Sequence, residues 1–118
     1  MSRTGEPEGD VVATIDIGTQ PGQRDGEWIV TVHGEIDVAT SPRLKTELVS
    51  LLDRDARTIV LDLSATTFID SSGLGVLVGA LKRLREHNGD AIVLRGLQEP
   101  VRRVFEITGL TDLFRIES

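Results

Sequence analysis

Two adjacent serines, Ser71 and Ser72, stand between Asp70 and Gly73, where an apolar run passes into a helical pattern. A serine hydroxyl at such a turn can cap the helix, act as a nucleophile or accept a phosphoryl group, and a cap requires only one hydroxyl. A serine hydrolase would need a histidine and an aspartate around its nucleophile, and this pair does not lie in a Gly-x-Ser-x-Gly turn. The pattern leaves two interpretations open: a helix cap and a serine that is phosphorylated.

The position of the serines suits a phosphate. The helix that starts at the serines follows an apolar run that is predicted to be a strand. The N-terminus of this helix is therefore predicted to lie on the rim formed by the carboxyl ends of the strands. Free backbone N–H groups and the positive end of the helix dipole favour an anion there. A partner docked over this rim, by contrast, would have to bury a new charge of about −1.5 to −2. Phosphorylation would then expel a partner without refolding the domain.

Strands and helices alternate around the serines. Apolar residues in every second position from Val11 to Ile17 predict an edge strand, and a short turn-rich connector predicts that it forms an antiparallel hairpin with residues 28–34. Ser41 is the candidate N-cap of the first helix, with Pro42 at its first helical position. The order β-β-α-β-α-β-α-β predicts an α/β fold with a mixed, mainly parallel sheet and helices packed on it.

Two of the predicted strands, residues 58–63 and 91–94, have nearly continuous apolar sequences, which is typical of strands covered on both faces. Residues 64–69 are predicted to connect the first of them to the serines. Gly75 and Gly79 lie four residues apart on one face of the following helix, where glycine is costly. Their spacing indicates that either the sheet beneath or a partner above approaches closely. The predicted core includes Leu61, Leu63, Leu77, Leu81, Ile92 and Leu94.

Composition excludes several classes of function. The chain has 118 residues and a formal net charge of −6, which argues against nucleic acid as a partner. It has no cysteine, and its two histidines, His33 and His87, lie far apart and are too few for a metal site. No apolar stretch approaches the roughly 20 residues of a membrane span, and the first ten residues lack a signal-peptide core. We expect a polar tail over residues 1–10 and a cytoplasmic domain over residues 11–118, with no cofactor or metal.

Four segments resemble bacterial anti-sigma factor antagonists, the single-domain members of the STAS family. The segments are Gly34–Asp37, Ile59–Ser64, Phe68–Arg83 and Val101–Leu110. They occur in the family's order, and the resemblance covers almost the whole chain from Val11 onward. It implies a STAS-like fold and a regulator of sigma factors, as in stress response or sporulation, that catalyses nothing itself.

The resemblance also implies partners and site residues. In this family the unmodified antagonist binds an anti-sigma factor, a serine kinase with a histidine-kinase-like ATPase fold, and the sigma factor is released. Ser71 matches the serine that the kinase phosphorylates and that a metal-dependent serine phosphatase restores. The implied partner-binding residues are Asp37, Asp70, Ser72, Gly73, Leu74 and Gly75. For Asp37 a turn that caps the first helix stays open beside kinase contact, and for Ser72 the role of helix cap stays open.

Two other functions remain as alternatives. The chain is also compatible with a STAS subunit of a larger assembly, such as a stressosome or a transport complex, in which no switch operates. An aspartyl-phosphate receiver domain has a similar length and layout, but it needs paired acids for a divalent metal and a lysine beside the phosphate. Here the first strand ends in Ile17-Gly18, and both lysines, Lys45 and Lys82, are predicted to lie on helices.

Overall fold

The computed structural model describes residues 15–117, along which five strands and three helices follow in the predicted order. The tail over residues 1–10 and the first part of the predicted edge strand, Val11–Thr14, lie outside the described residues. A 3₁₀ turn, Leu110–Asp112, precedes the last strand. The elements are β1 (Ile15–Pro21), β2 (Glu27–Ile36), α1 (Ser41–Asp53), β3 (Thr58–Ile69), α2 (Ser71–Glu86), β4 (Ala91–Arg95), α3 (Glu99–Thr108) and β5 (Arg115–Glu117).

The five strands form one mixed sheet in the order β1-β2-β3-β4-β5. β1 and β2 pair antiparallel, with Ile15 opposite Gly34, and the remaining pairs are parallel. The predicted edge hairpin and the mainly parallel interior are therefore confirmed. Because the carboxyl ends of β2, β3 and β4 share one edge of the sheet, the turns that follow these strands meet on a common rim.

The core lies between the sheet and the three helices. All six residues predicted to be core are buried, none of them more than 3% exposed. The buried apolar side chains of all three helices belong to a single cluster with the sheet residues. Phe105 of α3 closes one end of it and packs edge-on against Phe114, with 5.8 Å between ring centroids. In α2, the predicted core residues Leu77 and Leu81 lie four apart on the face that the helix buries.

The strands β3 and β4 are buried on both faces, as predicted, but helices cover only one of these faces. Val60 and Val93 are buried but do not belong to the core cluster, and they line a shallow cavity of about 730 Å³ together with Arg57, Arg95 and Arg115. Within residues 15–117 no helix packs on this face. The physical reason is the strand order, which never reverses. Right-handed crossovers that proceed in one direction bring every helix to the same face, and arginine stems shield the other.

β3 runs six residues further than predicted and includes the segment 64–69, which we had interpreted as a connector. Its pairing with β2 shifts register twice, between Thr31 and His33 and again between Gly34 and Glu35. Each shift places an extra residue in β3, as a β-bulge does, and interrupts the alternation of faces. The two shifts cancel, so Ile69 at the end of the strand faces the core like Leu61 and Leu63, whereas Phe68 is 45% exposed.

Candidate functional site

Asp70 is the N-cap of α2. Its backbone is extended, and its Oδ1 accepts hydrogen bonds from the N–H groups of Ser72 at 2.9 Å and Gly73 at 3.2 Å. The sequence leaves Asp70, Ser71 and Ser72 open as N-caps, and the structure assigns the role to Asp70. Asp70 occupies the last extended position, from which its side chain reaches the first-turn N–H groups.

Ser71 is the first residue of α2 and is exposed. The Asp70 carboxylate accepts hydrogen bonds from the N–H groups of Ser72 and Gly73, and the N–H of Leu74 donates to the Asp70 carbonyl at 3.0 Å. Within the described chain, the N–H and the hydroxyl of Ser71 are left without a hydrogen-bond partner. An anion at this position can therefore accept a hydrogen bond from only one free N–H group, that of Ser71, whereas the sequence predicts several free N–H groups. The anion would also lie near the negatively charged Asp70 carboxylate.

The environment of Ser71 contains no group that would make it a nucleophile. His87 lies at the opposite end of α2, where its Nδ1 is 2.8 Å from the Arg83 carbonyl, and His33 is exposed in β2. Neither imidazole is hydrogen-bonded to Ser71, so the histidine base of a serine hydrolase is missing among residues 15–117. The same stretch holds no group of three or more His, Cys, Asp or Glu side chains that could bind a metal ion. The arrangement suits a hydroxyl that receives a group from another protein.

Gly73 and Leu74, two of the partner-binding residues implied by the resemblance, are buried in the described chain. A Cβ on Gly73 would lie 2.5 Å from Cγ2 of Ile36 and 2.8 Å from Cγ1 of Ile69. Glycine therefore lets the first turn of α2 rest directly on the ends of β2 and β3, and Leu74 anchors that turn in the core. Both residues support the Ser71 turn from beneath, and contact with a partner stays a prediction for them.

Asp37 follows β2 and lies beside the Ser71 turn, since Ile36 pairs with Ile69 and its carbonyl accepts the N–H of Asp70 at 3.1 Å. Its Oδ1 accepts the N–H groups of Ala39 at 3.0 Å and Thr40 at 3.1 Å. Asp37 thus forms the turn before α1, the first of the two roles left open by the sequence. Contact with a partner remains a prediction for this residue.

The N-cap of α1 is Thr40, so the assignment of Ser41 to that position is wrong by one residue. Ser41 is instead the first helical residue and is buried. The Thr40 hydroxyl donates to the carbonyl of Glu35 at 2.7 Å and makes no cap bond within the helix. The loop between β2 and α1 is therefore held by bonds to the strand that it leaves.

Two apolar side chains beside Ser71 were not identified from the sequence. Val38 is 73% exposed in the loop after β2, and Phe68 is 45% exposed at the end of β3, where it pairs with Glu35. Phe68 belongs to the segment 64–69, predicted from the sequence to be a connector, and the extension of β3 through this segment gives Phe68 its exposed position. With Glu35, Asp37, Asp70 and Ser71, these side chains form an acidic and partly apolar surface, here called the Ser71 rim.

Ser72 and Gly75 line a groove between α1 and α2 that opens at the Ser71 rim and has a volume of about 500 Å³. A Cβ added to Gly75 or Gly79 would meet no atom within 4 Å. The sheet therefore does not require these glycines, and the close approach of a partner remains a prediction. The groove continues from Ser72 along α2 to Arg83.

Asp62 lies on the helix-free face of the sheet. Burial raises the pKa of this carboxyl, but hydrogen bonds from the Ser64 hydroxyl and N–H, together with Arg95 at 3.9 Å, outweigh burial and hold it below the ordinary value of 3.8. The bonds are local to the end of β3 and its neighbour β4. This carboxylate therefore has a structural role and is separate from the Ser71 rim.

Comparison with known proteins identifies the family. A family model described as STAS domain matches residues 19–118. The anti-sigma-B factor antagonist of Listeria monocytogenes is 38% identical over 105 residues, which make up 88% of this chain and 91% of the relative. The crystal structure of an anti-sigma factor antagonist from Mycobacterium paratuberculosis has a TM-score of 0.74 at 31% identity and covers 88% of this chain and 86% of that one.

A more distant structure shows the same fold. The Bacillus cell fate determinant SpoIIAA in its phosphorylated form has a TM-score of 0.67 at 20% identity, over 87% of this chain and 92% of that one. The chain belongs to the STAS domain family. Its relatives in that family are anti-sigma factor antagonists, as the resemblance of the segments around Ser71 implied. Along residues 15–117 no helix is both long and apolar enough to cross a membrane.

Proposed function

We propose that this protein is an anti-sigma factor antagonist that is switched by phosphorylation of Ser71. In the unmodified state the Ser71 rim binds an anti-sigma factor, a serine kinase with a histidine-kinase-like ATPase fold, and the sigma factor is released. Phosphorylation by that kinase ends the complex, and a metal-dependent serine phosphatase restores binding. The protein itself catalyses no reaction and acts in the cytoplasm, where sigma factors engage RNA polymerase.

The observation that carries this proposal is the position of Ser71. Its hydroxyl is exposed at the first residue of α2, it is engaged by no other described residue, and it lies beside the exposed apolar side chains of Val38 and Phe68. Exposed apolar residues around a modifiable hydroxyl are what a switchable protein contact requires. Relatives named as anti-sigma factor antagonists add independent support.

The electrostatics of the rim support release after phosphorylation. The ends of β2 and β3 and the turns after them already carry the carboxyl groups of Glu35, Asp37 and Asp70, so a partner that fits the unmodified rim brings cationic and apolar groups to it. A phosphate on Ser71 adds a charge of about −1.5 to −2 and the bulk of a phosphoryl group where Val38 and Phe68 are to be covered. An unpaired charge buried in an interface costs about 2–5 kcal/mol, which corresponds to about 30-fold to several-thousand-fold in affinity.

Phosphate labelling tests the acceptor. Candidate anti-sigma kinases of the same organism are purified one at a time and incubated with Mg-ATP and the wild-type chain, Ser71→Ala or Ser72→Ala. We expect one phosphate on the wild type and on Ser72→Ala, and none on Ser71→Ala. Both variants remove a single hydroxyl from the same turn, so the second is a matched control. Undiminished labelling of Ser71→Ala would refute the assignment.

Binding and amide NMR spectra of the phosphorylated protein test the mechanism. The phosphate should weaken kinase binding while shifts stay within residues 68–77 and the loop after β2, because the Ser71 side chain points away from the core. Ser71→Asp should reproduce part of the loss, since a carboxylate has less charge and fewer oxygens. Shifts spread across the sheet would show that the domain rearranges and would contradict release by charge alone.

A further inference from the structure

The groove between α1 and α2 begins at Ser72, the residue after Ser71, and has an apolar floor. Leu48 and Val49 of α1 line one side, and Val76 and Ala80 of α2 line the other. From Ser72 to Arg83 the groove follows eleven residue steps of α2, or about 16 Å at 1.5 Å per residue. This length matches about three turns of a second helix laid along α2.

Two glycines determine how closely such a helix can approach. Gly75 and Gly79 are exposed on the groove side of α2, and the space where each Cβ would stand is empty to 4 Å. Each glycine costs α2 about 1 kcal/mol relative to alanine, and no contact within the described chain offsets that cost. The absence of side chains at both positions lets another backbone come close to α2, which is one of the uses of glycine in proteins.

The sign of the charged side chains differs between the groove and the neighbouring Ser71 rim. Lys45 and Arg83 are exposed along it, whereas carboxylates dominate the adjoining Ser71 rim at Glu35, Asp37 and Asp70. The surface is therefore acidic at the start of α2 and cationic further along it. A ligand that covers both parts must carry cations at one end and carboxylates at the other. Nucleic acid does not meet this requirement, because its phosphates would face the acidic rim.

We infer that the groove receives one amphipathic helix of the anti-sigma factor, with small apolar side chains against Gly75 and Gly79 and carboxylates facing Lys45 and Arg83. This inference rests on the proposed function and extends it from the Ser71 rim to a second contact on the same partner. The groove holds the partner helix in register, and the rim senses phosphorylation. Affinity and switching are thus assigned to neighbouring but separate surfaces.

Substitutions at Gly79 test the shape of the groove. Gly79→Gln fills it with a long side chain of high helix propensity, and Gly79→Ala adds only one methyl group to the same position. Both variants should be at least as stable as the wild type, because α2 gains helix propensity and nothing within 4 Å opposes the new Cβ. In titration of the purified anti-sigma kinase, we expect Gly79→Gln to weaken binding about tenfold or more and Gly79→Ala to weaken it much less.

Charge reversal tests the polarity of the ligand. Arg83→Glu places a carboxylate in the groove, and Arg85→Glu makes the same change on the same helix toward a different surface, beside Leu113. We expect Arg83→Glu to weaken kinase binding about tenfold at low salt, with the effect reduced at high salt, and Arg85→Glu to leave it nearly unchanged. Phosphorylation of Ser71 should still release each variant that binds.

The outcomes separate this inference from the proposed function. If the wild type binds the kinase and Gly79→Gln and Arg83→Glu bind equally well, the groove is not a contact, and the inference fails while the proposed function stands. If sedimentation shows a wild-type dimer that these variants abolish, the groove belongs to a second copy of this chain, and the inference is again wrong. If the wild type binds no anti-sigma kinase, the proposed function itself fails.

Discussion

Gly73→Ala is predicted to destabilise the protein, although alanine is the better helix former. The added Cβ would lie 2.5 Å from Ile36 and 2.8 Å from Ile69, and both isoleucines are buried at 2% exposure or less. Neither can move away without disturbing the ends of β2 and β3. Overpacking of this kind costs about 1–3 kcal/mol, against a helix gain of about 1 kcal/mol or less.

Gly75→Ala is the matched control for this prediction. It makes the same chemical change two residues further along α2, where a Cβ meets no atom within 4 Å. The gain in helix propensity is similar in the two variants, so the difference in their free energies of unfolding isolates the overpacking cost of about 1–3 kcal/mol. At about 4–8 °C per kcal/mol for a domain of this size, Gly73→Ala should melt at least about 4 °C below Gly75→Ala.

Urea unfolding and thermal melts of the two variants and the wild type provide the measurement. Gly75→Ala should be more stable than the wild type, and Gly73→Ala should be less stable than Gly75→Ala with an unchanged denaturant slope. Equal stability of the two alanine variants would refute the argument. It would mean that α2 can lift from the strand ends, and that the Ser71 turn is not fixed by the contact of Gly73 with the isoleucines.

Three further predictions concern the cap, the core and one carboxylate. Asp70→Ala should lower the free energy of unfolding by about 0.5–2 kcal/mol because two first-turn N–H groups lose their acceptor, and Asp70→Asn should restore most of it in the same urea titration. Leu77→Ala should cost about 2–5 kcal/mol, since this side chain is fully buried; a loss below 1 kcal/mol would contradict its place in the core. The lowered pKa of Asp62 means that its ionised form stabilises the fold above its ordinary value of 3.8 and that this contribution is lost as pH falls through the lower folded value. The difference in stability between wild type and Asp62→Asn should therefore be larger at about pH 7 than at about pH 3, and a difference that grows on acidification would disprove the assignment.

The element order and the core were predictable because each depends on a strong local signal. The apolar stripe of α2 and the apolar runs of β3 and β4 identified the core residues correctly. The coverage of the sheet was not predictable in the same way. Continuous apolar sequence shows that Val60 and Val93 are buried, but only the strand order decides whether helices or arginine side chains cover them.

At the site, the sequence identified the correct turn but not the division of roles within it. Asp70, Ser71 and Ser72 are all good N-caps, and the choice among them depends on where β3 stops being extended. That point lies at the end of β3, which extends through residues 64–69, a segment that the sequence predicts to be a connector. Because Phe68 lies in this segment, its exposure at the end of the strand could not be predicted.

The sheet order β1-β2-β3-β4-β5 repeats the order of the chain, which bears on how the protein forms during synthesis. Each described strand pairs with the strand that precedes it in the chain and that therefore leaves the ribosome first. No described strand is later inserted between two strands that come before it in the chain. Each parallel pair of strands is separated along the chain by a single helix and its turns. Each new strand and helix can add to an existing edge while translation continues. The Ser71 rim, built from the ends of β2 and β3, is therefore expected to take shape before the sheet is complete, and the three-residue strand β5 is added last.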